Sequence, residues 1–302
     1  MHLNHQDAAG VRLIAHDTLP STNAEALRLA REGEAGPLWV TARRQTAGRG
    51  RRGNAWSSEP GNLYASLLLT DAVPPGKAPE LCFVAALALH DAVSHVAPTL
   101  LAKLELKWPN DLLIDGAKFA GILIEAETTQ SAPPAVAIGI GVNCAHHPAG
   151  IPYPVTDLAA CGSAVTPAAL LAALSGAMQA RLEQWDRGTG FARIRADWLA
   201  RAAGLGGDII VRLPDRELTG KFETLDRIGR LMLRLPAGTL EAITVGEVFA
   251  PSPTPTRRAS PVAPGSSPGQ ALPLSGGGNG ESGWRAGRNC SSRRLEAWAR
   301  SG

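Results

Sequence analysis

Cysteine is scarce in this sequence, and its cysteines form none of the familiar functional patterns. They are Cys82, Cys144, Cys161 and Cys290, with no C-x-x-C pair, and no group of histidine and cysteine has the spacing of a zinc site. A zinc-dependent fold is therefore disfavoured. We expect a reduced, cytoplasmic protein.

Long apolar runs are also missing. The amino-terminal segment MHLNHQDAAG is polar and lacks the apolar core of a signal peptide. The most apolar stretches, residues 81–97 and 167–182, are interrupted by charged or polar residues, which makes them too broken to span a bilayer. We therefore expect no membrane partner.

Positive charge is not in excess over most of the chain. The net charge is +3, but residues 251–302 hold seven Arg and two Asp or Glu, which is +5, so the remaining 23 Lys and Arg against 25 Asp and Glu give −2. The body is therefore not a general nucleic-acid binder. Its positive charge is local, in arginines between positions 43 and 52, which favours a small anionic ligand such as a nucleotide phosphate.

Composition divides the chain into three regions. Residues 1–202 mix strand-like and helical patterns, and predict an α+β domain with a mixed sheet and flanking helices. Residues 203–250 contain four or five short strand patterns separated by turns, which predicts a small β-barrel. Residues 251–302 are rich in Pro, Gly and Ser, and we expect this tail to be disordered because it has too few apolar residues to form a core.

Local signals within the first region define several elements. A helix is predicted to begin with Thr22 as N-cap and Glu25 completing a capping box, and to stop at Gly33. Asp115-Gly116 predicts a two-residue hairpin turn. Further strands are predicted at 11–17, 38–43, 62–69, 104–108 and 135–143, and further helices at 79–97, 167–186 and 190–202.

The segment 45–53, QTAGRGRRG, is the most informative motif. Its glycines let main-chain N–H groups approach a ligand closely, and its arginines can pair with phosphate or carboxylate oxygens. A loop of this kind can close over a water-sensitive intermediate. By itself the motif is equally compatible with a solvated basic loop or a fragment that contacts RNA.

The segment 107–111, KWPND, presents an amide and a carboxylate directly after a strand. Asp111 could hold Mg²⁺, which prefers carboxylate and phosphate oxygens, and Lys107 could face a phosphate. The alternative is a plain turn in which Asn110 and Asp111 bond their own backbone.

Lys118 follows the hairpin turn on an apolar strand. A period of two places it on the face of Ala120, Ile122 and Ile124, with Gly121 on the opposite face. A lysine among apolar neighbours needs an anion, and a carboxylate or an acyl phosphate would serve. The alternative is a lysine at the strand tip that extends into water.

Two further polar segments are weak by themselves. Ser21, Thr22 and Asn23 begin the first predicted helix, so they could cap it, bind a small polar ring, or do both. Residues 139–143, GIGVN, end a predicted buried strand and lack the spacing of a dinucleotide-binding motif. Asn143 is expected at the rim of the site.

These motifs occur in a characteristic order. S-T-N at 21–23 precedes Q-T-A-G-R-G-R-R-G-x-x-W at 45–56, G-N-L-Y-x-S at 61–66, K-W-P-N-D at 107–111, K-x-x-G-I-L-x-E at 118–125 and G-I-G-x-N at 139–143. The series resembles the biotin protein ligase family over about residues 11–250. The resemblance implies a catalytic α+β domain followed by a small SH3-like barrel.

The resemblance also implies an activity. ATP with Mg²⁺ would adenylate biotin to biotinyl-5′-AMP, without a tightly bound cofactor. The biotin would then pass to a lysine of a biotin carboxyl carrier protein, of acetyl-CoA carboxylase or a related carboxylase.

Site residues follow from the resemblance, motif by motif. The implied catalytic residues are Lys118, Arg49 and Asp111, of which Asp111 would also hold Mg²⁺. The implied biotin-binding residues are Ser21, Thr22, Asn23, Gln45, Gly48, Arg49, Gly50, Arg51, Lys118 and Gly121. The implied nucleotide-binding residues are Arg51, Arg52, Trp56, Lys107, Asn110 and Asn143.

The sequence departs from the family pattern at both ends. Many relatives carry an amino-terminal helix-turn-helix domain and act as repressors, whereas about ten residues precede the first predicted strand here. We therefore expect no DNA partner and no repressor role. The tail 251–302 has no counterpart in the family.

Three rival hypotheses remain open at this point. A lipoate protein ligase shares the fold and the adenylate chemistry, although the K-W-P-N-D and G-R-G-R-R-G motifs favour biotin. A nucleic-acid-binding module would use the arginine-rich segment 45–53, called the arginine loop below, and the basic tail. A carrier-docking protein with an inactive site is disfavoured by the intact Lys118 and Arg49-Gly50-Arg51.

Overall fold

The computed structural model describes residues 3–6, 10–128 and 134–249 of the chain. Nearly all predicted elements fall within these ranges. The tail 251–302, predicted to be disordered, lies outside the described residues.

An eight-stranded mixed sheet forms the body of the protein. Its order is β1-β2-β3-β4-β8-β7-β6-β5; β2 and β3 are parallel, and the other neighbouring strands are antiparallel. The strands are β1 (Leu3–Gln6), β2 (Arg12–Leu19), β3 (Leu38–Gln45), β4 (Leu63–Thr70), β5 (Leu104–Lys107), β6 (Asp111–Ile114), β7 (Ala117–Glu127) and β8 (Ala135–Val142). The first strand, at the sheet edge, was not predicted because three of its four residues, LNHQ, are polar.

Helices cover both faces of this sheet, and the last helix packs on the two before it. They are α1 (Thr22–Arg31), α2 (Leu81–Val96), α3 (Pro167–Trp185) and α4 (Phe191–Leu199). Alternate residues of β3 separate the two apolar layers, since Leu38 and Val40 pack with α1 whereas Trp39 belongs to the cluster of α2 and α3. The prediction of an α+β fold with a mixed sheet and flanking helices is confirmed. None of the helices in the described ranges is long and apolar enough to cross a membrane.

The start of α1 differs by one residue from the prediction. Ser21 is the N-cap, and its Oγ accepts a hydrogen bond from the Ala24 amide at 3.4 Å. The predicted cap, Thr22, is the first helical residue, because its hydroxyl donates to Gln45 Oε1 (3.1 Å). The predicted stop is confirmed, since α1 ends at Arg31, Glu32 is its C-cap and Gly33 follows with φ 93°.

The predicted hairpin turn at Asp115-Gly116 is confirmed. It joins β6 to β7, and both turn residues have positive φ (49° and 77°), as a type I′ turn requires. The side chains of KWPND and of Lys118 are thereby brought onto adjacent strands.

A second sheet follows the helices. Its order is β12-β11-β10-β9-β13, with all neighbours antiparallel. The strands are β9 (Asp208–Arg212), β10 (Glu217–Leu225), β11 (Leu231–Arg234), β12 (Leu240–Ile243) and β13 (Glu247–Phe249). The five short strands match the predicted small β-structure, whereas the domain boundary placed between residues 202 and 203 stays a prediction.

The second sheet packs directly on the body. Its inward side chains, such as Val211 and Phe222, belong to the same hydrophobic cluster as Leu106 and Trp198. A hydrogen bond crosses the same junction, from Trp108 Nε1 to the Gly229 carbonyl at 3.1 Å. The two sheets therefore share one continuous core.

Gly229 gives a direct test of this junction. It has φ +87°, and a Cβ atom there would lie 2.7 Å from the Phe83 ring, whereas Gly238, with φ +88°, has nothing within 4 Å. Gly238→Ala should lower the free energy of unfolding by about 1–2 kcal/mol through left-handed strain. Gly229→Ala should lower the free energy of unfolding by this amount and by a further ~1–3 kcal/mol, because the methyl group also overpacks the junction. Denaturant unfolding measures the free energy of unfolding of both variants. Equal losses in the two would contradict the prediction and show that the Phe83 ring moves aside without cost.

Candidate active site

A cavity of about 530 Å³ opens where the two sheets and the start of α1 meet. Its walls come from the first turn of α1, the arginine loop, β7, β8, the segment after β5 and the strand β13. All but three of the predicted site residues line it. The predicted residues that line the cavity are Ser21, Thr22, Asn23, Gln45, Arg49, Gly50, Arg51, Trp56, Lys107, Asn110, Asp111, Lys118 and Gly121.

One wall of the cavity is a buried polar network. The backbone amide and hydroxyl of Thr22 both donate to Gln45 Oε1, at 2.8 and 3.1 Å. Gln45 Nε2 donates to Ser58 Oγ at 3.0 Å, and Ser66 Oγ, which is fully buried, lies 2.8 Å from Thr22 Oγ1. Because these partners fix the side chains in place, the wall is organised before any ligand arrives.

Asn23 ties this wall to β7. Its Nδ2 lies 3.2 Å from the Leu123 carbonyl and 2.8 Å from Glu125 Oε2, while its Oδ1 accepts from Ser66 Oγ at 2.6 Å. Only 3% of Asn23 is exposed. A first-turn residue of α1 is thus held by two strands of the sheet.

The indole of Trp56 forms a second, apolar wall. A Cβ atom at Gly141 would lie 2.6 Å from the Trp56 ring, and one at Gly121 would lie 3.0 Å from it. Glycine at both positions is therefore what allows the ring to lie flat against β7 and β8. Trp56 Nε1 is buried and has no hydrogen-bond partner among the residues described, which leaves one donor for a ligand.

Two lysines share one carboxylate on the cavity floor. Lys118 Nζ lies 2.7 Å from Asp111 Oδ1, and Lys107 Nζ lies 3.6 Å from Asp111 Oδ2. Burial lowers the pKa of Lys107, and the charge of Lys118 lowers this pKa further, whereas Asp111 opposes the shift. Lys107, Lys118 and Arg51 together outnumber the cavity-lining carboxylates Asp111 and Glu247, and this excess of positive charge favours an anionic ligand.

The position of Lys118 corrects one prediction. The expected face, with Ala120, Ile122 and Ile124, is wrong, and Lys118 instead lines the cavity together with Gly121. The reason is an irregularity in the pairing of β6 and β7, where consecutive residues Leu112 and Leu113 pair with Ala120 and Lys118. One extra residue on β7 breaks the period of two.

The arginine loop is a short turn held at both edges of the cavity. An isolated bridge between Arg49 and Ala55 closes it, and Gly50 N donates to the Asn54 carbonyl at 2.7 Å. Arg49 Nη2 donates to Glu125 Oε1 at 3.1 Å on one side, and Arg51 Nη1 donates to Asn110 Oδ1 at 3.2 Å on the other. The loop therefore spans the cavity mouth.

Three predicted site residues do not line the cavity. A Cβ atom at Gly48 would lie 2.5 Å from Ser58 Oγ, so this glycine lies behind the polar wall. Arg52 is exposed at the tip of the loop, with φ 57°. Asn143 is buried and donates to the Thr156 carbonyl at 3.0 Å, which anchors the segment that carries Tyr153.

Sequence reasoning assigned no role to four residues in or behind the cavity walls. Ser66 and Glu125 belong to motifs that carry the family resemblance, so a signal for them was present. Neither Tyr153, whose ring centroid lies 6.0 Å from Lys118 Nζ, nor Phe249, whose ring centroid lies 5.5 Å from Lys107 Nζ, belongs to a motif that indicates a ligand site. Their placement depends on tertiary packing alone.

A metal site made of protein ligands alone was not found in the described part of the chain. No group of three His, Cys, Asp or Glu side chains there could hold an ion. Asp111 pairs with both lysines, and the side-chain oxygen of Asn110 lines the same cavity. This donor set fits Mg²⁺ that brings its own phosphate ligands, because Mg²⁺ is commonly held by one or two carboxylates plus substrate phosphates.

Comparison with protein families places both sheets. Residues 16–143 match the Biotin/lipoate A/B protein ligase family, and residues 204–250 match the Biotin protein ligase C terminal domain. The prediction of a small SH3-like barrel after the catalytic domain is thereby confirmed.

Known proteins resemble the chain over most of its length. The biotin–[acetyl-CoA-carboxylase] ligase of Paracoccus denitrificans is 46% identical over 238 residues, covering 76% of this chain and 96% of that protein. The bifunctional ligase/repressor BirA of Bacillus subtilis is 32% identical, covering 77% and 72%. The structure of the Aquifex aeolicus biotin protein ligase in complex with biotin and ATP superposes with a TM-score of 0.65 at 26% identity, covering 78% of this chain and 97% of that one. The chain belongs to the biotin protein ligase family.

Proposed function

We propose that this protein is an ATP-dependent biotin ligase that adenylates biotin and transfers it to a lysine of a carrier protein. The proposal rests on one observation: a polar wall around Asn23 and a cationic floor around Lys118 line the same cavity. The first can bind a small polar ring and the second an acyl phosphate.

The polar wall is the proposed subsite for the biotin ring system. A ureido group presents two N–H donors and one carbonyl, and each needs a partner once it leaves water. Ser21, Thr22, Asn23 and Gln45 supply such partners, and the indole of Trp56 supplies an apolar surface. Gly121 leaves room for this indole against β7.

The cationic floor is the proposed site of adenylation. The biotin carboxylate attacks the α-phosphorus of ATP; a C–O–P bond forms, the bond to the β-phosphate bridging oxygen breaks, and pyrophosphate leaves. Lys118 lies where it can bind both the carboxylate and the phosphate and stabilise the charge that develops between them. Lys107 and Arg51 extend the same positive surface toward the nucleotide side.

Mg²⁺ is proposed as a companion of the nucleotide, with Asp111 and Asn110 as its side-chain ligands. When bound, it would neutralise charge on the phosphates. Asp111 also pairs with Lys118 and Lys107, so the lysines and the ion would share this carboxylate.

The second step needs no nucleophile from this chain. The amine of the carrier lysine attacks the carbonyl carbon of the mixed anhydride, an amide bond forms and AMP leaves. Arg49, Gly50 and Arg51 lie across the cavity mouth and would shield the anhydride from water until then. The carrier is proposed to be a biotin carboxyl carrier protein, by analogy with the ligase of Paracoccus denitrificans. We place this reaction in the cytoplasm, in keeping with the free cysteines Cys82, Cys144 and Cys161.

A transfer assay tests the proposal and separates it from lipoate ligation. The protein is mixed with ATP, Mg²⁺, an apo carrier domain and either biotin or lipoate, and the carrier is analysed by mass. We expect transfer of biotin and not of lipoate. Lys118→Ala should reduce the rate at least ~100-fold, because it removes a preorganised charge at the reacting centre.

The matched control for this assay is Lys103→Ala. Lys103 pairs with Asp115 at 2.9 Å outside the cavity, so this variant should retain full activity. Transfer of lipoate alone would contradict the proposal, as would equal rates for the two lysine variants.

Gly141→Ala tests whether the indole wall is part of the biotin subsite. The added methyl would lie 2.6 Å from the Trp56 ring and must displace it. Biotin affinity, measured by calorimetry without ATP, should fall about 10-fold or more through the loss of this contact. Gly176→Ala is the control, since nothing lies within 4 Å of that position on α3.

A double variant shows whether Gly141→Ala weakens biotin binding by moving the Trp56 indole or by blocking the ligand. If Gly141→Ala acts by moving the indole, it should cause little additional loss in a Trp56→Ala background. Additive losses would instead mean that the methyl group blocks the ligand directly.

A further inference from the structure

Glu125, on β7, makes contacts that no step of the proposed reaction uses. Its Oε2 accepts from Asn23 Nδ2 at 2.8 Å, and both of its oxygens accept from Arg49 Nη2, at 3.1 and 3.3 Å. Its side chain is 29% exposed and does not line the cavity, whereas Asn23 and Arg49 both do. One carboxylate thus holds two cavity residues from behind.

The contact with Asn23 fixes the orientation of a buried amide. An ionised carboxylate and a backbone carbonyl can only accept hydrogen bonds, so Glu125 and the Leu123 carbonyl require the NH₂ group of Asn23 to point toward β7. Oδ1 then points to Ser66 and keeps one lone pair for a ligand N–H. Without Glu125, a flipped amide would become competitive.

The contact with Arg49 acts differently. Both side chains are partly exposed, 45% for Arg49 and 29% for Glu125, so the ion pair adds little to the stability of the fold. Arg49 follows a glycine and precedes another, however, and a guanidinium on such a loop has many conformations unless a partner selects one. Glu125 selects the one that spans the cavity mouth.

We infer that Glu125 is a positioning residue of the ligase reaction, which presents Asn23 to the biotin ring and holds Arg49 over the adenylate. The inference rests on the proposed function. It separates into two effects: the hydrogen bond to Asn23 governs biotin affinity, and the charge opposite Arg49 governs retention of the intermediate.

The chain provides a matched control two residues away on the same strand. Glu127 pairs with Arg31 of α1 at 2.7 Å, so it also ties α1 to β7, but neither residue lines the cavity. A residue that only fastens the helix to the sheet would behave like Glu127. The comparison therefore distinguishes positioning from general packing.

The experiment uses the full chain with Glu125→Ala, Glu125→Gln, Glu127→Ala and Glu127→Gln. Biotin affinity is measured by calorimetry without ATP, and dissociation of preformed biotinyl-5′-AMP by single-turnover chase. Thermal unfolding of each variant shows whether it is folded, and the near-isosteric glutamine variants keep the test valid if an alanine variant is not.

Glu125→Ala should weaken biotin binding about 10-fold or more, because Asn23 loses the acceptor that orients it. Glu125→Gln should restore biotin affinity to within ~3-fold of the unsubstituted protein, since its amide oxygen still accepts from Asn23. The same variant should release the adenylate about 10-fold faster, because Arg49 loses its charged partner. Both Glu127 variants should resemble the unsubstituted protein in the two measurements.

Two results would overturn the inference. One is equal biotin affinity in Glu125→Ala and Glu127→Ala, and the other is an adenylate that leaves Glu125→Gln at the unsubstituted rate. Failure of the proposed function is distinct, because the unsubstituted protein would then bind no biotin and form no adenylate.

Discussion

The excess of positive charge at the cavity floor is the constraint on which the site depends. Lys107 and Lys118 both approach Asp111, and one carboxylate cannot neutralise two ammonium groups in a partly buried setting. Burial lowers the pKa of Lys107, and the nearby charge of Lys118 lowers it further. A phosphate or carboxylate bound here would offset the repulsion between the two ammonium groups.

The surrounding architecture delivers these charges to one place. The hairpin at Asp115-Gly116 sets β6 beside β7, and the irregular pairing on β7 turns Lys118 toward the cavity. The polar wall approaches from α1 on the opposite side, and the arginine loop closes the gap by bonding to Glu125 and Asn110. The polar wall, the cationic floor and the loop across the mouth thus come from separate elements that surround one cavity.

Local patterns predicted most of the fold, because most of its signals are local. The hairpin turn, the stop of α1 at Gly33 and all strands except β1 follow from turn chemistry and periodicity over a few residues. The N-cap was misplaced by one residue because Thr22 is engaged by Gln45, a contact between distant segments. The face of Lys118 was wrong because a single extra residue in a strand leaves no mark on composition.

The candidate site was predictable where its residues lie in compact motifs. Tyr153 and Phe249 reach the cavity through packing of segments far apart in the chain, and nothing in their own neighbourhoods announces it. Glu125 was visible in a motif, yet its relation to Asn23 and Arg49 required three dimensions. The order of motifs along the chain therefore indicates the ligand, whereas contacts between distant segments show how the binding residues are held.

The cavity draws its walls from both sheets, since residues 246–249 of the second sheet line it together with the first turn of α1. A ligand that touches both walls binds only when the junction between them is intact. By mass action, such a ligand present at about 100 times its dissociation constant adds roughly 2.7 kcal/mol to the stability of that junction. The protein without its small-molecule substrates should therefore open at this junction more readily than the ligand-bound protein.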